Sequence, residues 1–86
     1  MEQTTEVFGY KVKYDAESES AKHALAFFQE IGEGGAKSFF DEARHDLVNH
    51  LTHFKVKNHE KENEEYHLTL IYNNDGTYHL RKRTGF

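Results

Sequence analysis

Residues 7–14, VFGYKVKY, alternate strictly. Phe8, Tyr10, Val12 and Tyr14 share one side, with Val7, Gly9, Lys11 and Lys13 on the other. Period two with aromatic residues predicts a half-buried strand. The pattern then changes. Ala21, Ala24, Leu25, Phe28 and Ile31 recur at helical spacing, with Asp15 or Ser18 placed to cap and Glu17 and Glu19 near the positive end of the helix. Gly32 falls just past the last apolar residue, where a left-handed residue closes a helix. A second stripe through Ala36, Phe40, Ala43, Leu47, Leu51 and Phe54 predicts another helix. Ser38 and Asp41 stand at capping-box spacing within it, with Asp in place of the usual Glu or Gln.

Beyond residue 54 the period returns to two. FKVKN sets Phe54 and Val56 against Lys55 and Lys57. EYHLTLIY sets Tyr66, Leu68, Leu70 and Tyr72 against His67, Thr69 and Ile71. TYHLRKR sets Tyr78 and Leu80 against His79, Arg81 and Arg83. A three-residue loop, Asn74-Asp75-Gly76, is the length that pairs Tyr72 with Tyr78 and Leu70 with Leu80 without mixing faces. HEKENEE, residues 59–65, reads as a charged loop.

These elements predict an α+β fold: a two-layer β-α-α-β-β-β arrangement, one antiparallel four-stranded sheet with two helices packed on one face. Two helices return the chain to its starting end, so the second strand is expected antiparallel to the first. The first strand fits beside either the second or the fourth. The whole span, 1–86, reads as one domain, with 1–6 and 84–86 as flexible tails.

The glycines of IGEGGAKSFF invite a phosphate-loop reading. That motif needs G-x-x-x-x-G-K-[ST] between a strand and a helix. Here Ala36 precedes Lys37 and a helix leads in, so the stretch reads as an elbow between helices.

Composition narrows the function classes. Seven Phe and five Tyr supply a ring-rich core, while the absence of Cys removes disulfides, thiolate metal sites and thiol nucleophiles. No apolar run approaches the roughly 20 residues of a membrane span, and MEQTTEVFGY is too acidic for a secretory signal, so a cytoplasmic protein without membrane contact is expected. The formal charge is −4, but its placement is uneven. Lys11, Lys13, Lys55, Lys57, Arg81 and Arg83 all fall on the outward parity of the strands, with His59, His67 and His79. Glu17, Glu19, Glu30, Glu33, Asp41, Glu42 and Asp46 fall on or near the helices.

Asp46, His50 and His53 are candidates for a metal site, since i, i+4 and i+7 share one side of the second predicted helix. They border the apolar stripe, so boundary polar residues are the competing reading. No nucleophile elbow or zinc-protease motif is present, and Asp41 and Glu42 diverge by about 100° on a helix. A non-catalytic binding or regulatory protein without a cofactor is therefore expected. Its partner would be a polyanion, nucleic acid or an acidic protein surface, docked on Lys11, Lys13, Lys55, Lys57, Arg81, Arg83, His67 and His79. The outward face has no aromatics for base stacking, so phosphate contact would dominate with nucleic acid. The alternative is a protein-interaction or homodimer module acting through the acidic helical surface or an exposed sheet edge, as an inhibitor of another protein would.

Overall fold

A computed structural model describes residues 1–58 and 64–82. Five strands and one helical element follow the order β1 (Glu2–Val7), β2 (Tyr10–Asp15), α1 (Glu19–His45), β3 (Leu51–Lys57), β4 (Glu65–Tyr72) and β5 (Tyr78–Lys82). They form a single sheet in the order β1-β2-β5-β4-β3, with α1 on one face. The class is α+β as expected, but the sheet has five strands and is mixed, because β2 and β5 pair in parallel.

The added strand comes from a turn hidden inside the first alternating run. Phe8 and Gly9 have φ of 49° and 90°, the two positive values of a type I′ hairpin turn. Residues 2–6, expected within a flexible tail, therefore fold back on β2 together with Val7, pairing Val7 with Tyr10 and Glu2 with Asp15.

The expected pair of helices is realised as two arms of α1. Gly32, at φ 83° and ψ 175°, is non-helical inside it. In a straight helix Phe28 and Phe40 would stand about 18 Å apart. Their ring centroids are 5.3 Å apart, so the axis turns sharply at Gly32. The elbow reading of the glycine stretch is thus the geometry observed. Ser18 caps the first arm, its hydroxyl accepting the Ala21 N–H.

The second arm stops at His45, not at Phe54. Asp46 ends it by turning its carboxylate onto the next backbone N–H groups, those of Val48 and Asn49, at 2.9 and 3.0 Å. His50 then takes φ 55°. Residues 51–54 join β3; Leu47, expected on a buried stripe, is 90% exposed, and its neighbour Val48 is 83% exposed. Together the two arms make one crossing, so β3 runs in the same direction as β2. That corrects the antiparallel expectation.

Side-chain parity holds from Tyr10 onward in β2 and in β3, β4 and β5; Val7, expected on the side of Lys11 and Lys13, instead pairs with Tyr10 beyond the turn and is buried. Val12, Phe54, Val56, Leu68, Leu70, Tyr78 and Leu80 are buried beneath Ala21, Ala24, Phe28, Ala36, Phe40 and Ala43 of α1. Tyr10 stacks on Phe40 at 4.3 Å with the rings 7° from parallel. Tyr10, Tyr14, Tyr66 and Tyr72 are partly buried against the same core. The β4–β5 hairpin pairs Tyr72 with Tyr78 and Leu70 with Leu80, as its turn chemistry requires. Gly76 at φ 89° occupies the left-handed position of that turn.

Candidate functional site: the outer face of the sheet

The face opposite α1 collects the cations. Ladder pairs share a face, so the register fixes who stands beside whom. On β3 and β4, Lys55 faces His67, His53 faces Thr69 and Lys57 faces Glu65. On β4 and β5, Thr69 faces Arg81 and Ile71 faces His79. The parallel ladder sets His79 beside Lys13. Lys11, Lys13, Lys55, Lys57, Arg81, His67 and His79 therefore share one surface. Arg83 and His59 lie outside the described residues.

The surface divides into two halves. On β2 each cation has an acid close by. Lys11 faces Glu6 across the β1–β2 ladder, and Lys13 Nζ lies 4.0 Å from Asp75 Oδ2 in the β4–β5 turn. His79 Nε2 lies 3.3 Å from Glu2 Oε2. Asp75 is held below the usual carboxylate range by hydrogen bonds from the Thr77 hydroxyl and N–H, with Lys13 adding to the effect. On the other half Lys55, Lys57 and Arg81 surround His53, His67 and the buried Thr69. The Thr69 hydroxyl pairs with His53 Nδ1 at 2.8 Å, which pins that imidazole to the sheet. Lys55, Lys57, Arg81 and His53 are exposed, and Glu65 is the acid nearest to them in the ladder.

Acids on β1 were not foreseen, because a hidden turn gave them no strand to sit on. The signal was present: Glu2, Thr4 and Glu6 repeat every second residue, and folding about Phe8-Gly9 sets Glu6 opposite Lys11 and Thr4 opposite Lys13. His53 was placed on a helix and belongs to this face instead.

That shift dissolves the metal candidate. Asp46 spends its carboxylate on the 46–50 turn, His50 sits in that turn, and His53 is bound to Thr69 on the sheet. No cluster of three or more metal-ligating side chains exists among the described residues. A pocket of about 380 Å³ opens at the ends of β2 and β5, lined by Glu2, Asp15, Ser18, His79, Arg81 and Lys82 among others. Its charges are mixed, with Glu2 beside His79 and Asp15 beside the Met1 amino group. No helix among the described residues is long and apolar enough to cross a membrane.

No family model, no curated protein and no solved structure matches this chain.

Proposed function

We propose that the protein is a small non-catalytic binding module of the cytoplasm that docks an anionic partner on the outer face of its sheet. The observation that carries this reading is the shared surface of Lys11, Lys13, Lys55, Lys57 and Arg81, all opposite α1. The half formed by β3, β4 and β5 is its centre, since Lys55 and Arg81 face neutral or imidazole side chains there. A local field of one sign raises the concentration and on-rate of an anionic partner, and salt screens it.

Heparin affinity at low salt tests this. The wild-type chain should be retained and should elute as salt rises. Lys55→Glu with Arg81→Glu should abolish retention, whereas Glu33→Gln with Glu42→Gln on the exposed helix surface should not weaken it. No retention of the wild-type chain at low salt would dismiss the reading.

A second reading, an interaction module acting through a sheet edge, is favoured by one observation. Both outermost strands, β1 and β3, end the sheet with no further strand among the described residues.

A further inference from the structure

The two edges carry opposite charge, and their backbone phase can be read from the ladders. On β3 the Asn58 N–H bonds Glu64 O, and the Tyr72 N–H bonds His50 O. Hydrogen-bonded pairs alternate along an antiparallel ladder. Residues 50, 52, 54, 56 and 58 thus turn their backbone groups to β4, while Leu51, His53, Lys55 and Lys57 turn theirs to the open side. On β1 the Ala16 N–H bonds Met1 O. By the same alternation Glu2, Thr4 and Glu6 turn their backbone groups away from β2. Each edge therefore turns outward, with no further strand on it among the described residues, the N–H and C=O groups of the residues whose side chains stand on the outer face. One edge reads His53, Lys55, Lys57; the other reads Glu2, Thr4, Glu6.

We propose that β1 of one copy adds to β3 of a second copy, joining the two sheets head to tail. This rests on the reading that the cations of β3 receive an acidic partner, and it names that partner as a second copy of this chain. β3 runs with β2 and β1 runs against it, so two copies lying side by side in the same orientation bring β1 antiparallel to β3. Their outer faces and helices then stay on matching sides. The register that sets Thr4 opposite Lys55 also sets Glu2 opposite Lys57 and Glu6 opposite His53. Opposite-charge pairs across a ladder stabilise, and like charges destabilise. Pairing β3 with β3 would set cations against cations, and β1 with β1 would set acids against acids. Charge thus selects the unlike pairing, which is heterologous and continues into a ring or a filament. The exposed Leu47 and Val48 precede β3 at the end of the sheet where β1 finishes, so the arriving copy brings its Phe8 turn to their side.

Proline removes an edge N–H without touching the inner ladder when it replaces an outward residue. Sedimentation of the wild-type chain at low salt over a wide concentration range should show a mass rising beyond one chain, falling back as salt is added. Thr4→Pro blocks the acidic edge and Lys55→Pro blocks the cationic one, so each variant alone should be monomeric. An equimolar mixture should form a dimer and stop there, because each copy keeps one competent edge. Circular dichroism matching wild type establishes that both variants are folded. For a variant that fails that check, Glu2→Lys with Glu6→Lys and Lys55→Glu with Lys57→Glu test the same junction through charge: each alone should be monomeric, and their mixture, complementary at both junctions, should associate beyond a dimer. A wild-type monomer at every concentration, or self-association of Thr4→Pro by itself, would overturn the proposal. If heparin retention persists in that event, the anionic-docking reading survives and only the identity of the partner falls.

Discussion

Glu2 reaches across β2 to His79: the carboxylate Oε2 and the imidazole Nε2 are 3.3 Å apart although their strands are not neighbours. Burial pushes the His79 imidazole below its ordinary value of 6.5, Arg81 and Lys13 push the same way, and Glu2 opposes them. The unfolded chain therefore takes up this proton first as pH falls. Stability from this group is complete above about pH 6.5 and declines below it, through the window down to the depressed folded value. NMR titration of the imidazole C–H should place His79 below 6.5. Glu2→Gln should lower it further and Arg81→Gln should raise it. A wild-type His79 titrating above 6.5 would contradict the burial assigned to it.

The break at Gly32 separates two glycines that look alike in sequence. At φ 83° any side chain is strained at Gly32, whereas Gly34 lies in the second arm with open space where a Cβ would stand. Gly32→Ala should cost about 1–3 kcal/mol. Gly34→Ala should stabilise by about 0.5–1 kcal/mol through reduced unfolded-state freedom. Urea denaturation of the two variants checks for opposite signs.

Phe40 is fully buried between Tyr10, stacked at 4.3 Å, and Tyr78, edge-on at 4.8 Å. Its truncation leaves a cavity where strand and helix meet. Phe40→Ala should cost about 3–5 kcal/mol, a large share of the 5–15 kcal/mol typical of a whole domain. Thermal melts should show a broad loss of cooperativity or a steep drop in Tm. A loss under about 1 kcal/mol would mean the core does not centre on this ring.

Leu47→Ser and Val48→Thr should each change stability by less than about 0.5 kcal/mol, since neither side chain is buried. Had Leu47 continued a helical stripe, its loss would have cost several times more. Chemical denaturation midpoints distinguish the two geometries.

That contrast shows where sequence was legible. In the β4–β5 hairpin, inward parity and the Asn74-Asp75-Gly76 turn agree, so register followed from local chemistry alone. Around residues 46–54, Leu47, Leu51 and Phe54 suit a helix while Thr52, Phe54 and Val56 suit a strand. Periodicity does not decide between them; the capping carboxylate of Asp46 does. At residues 2–7 the strand has polar residues on both faces, and Phe8 is an unusual residue for a left-handed turn position. The cationic face was readable because parity survives these errors. Its division into neutralised and open halves was not, because Glu2 and Glu6 arrive on the strand that the hidden turn creates, while Asp75 reaches Lys13 from the β4–β5 turn.

The parallel seam between β2 and β5 has a kinetic consequence. Val12 meets Tyr78 and Lys13 meets His79 from opposite ends of the described chain, while the ladders on either side join near neighbours in sequence. Loop-closure entropy makes such a contact slow to form, so hairpins and helical arms assemble early and the seam zips late. Until it does, β2 and β5 each have an unsatisfied flank, and a crowded, half-assembled population is the state most exposed to wrong pairing between molecules.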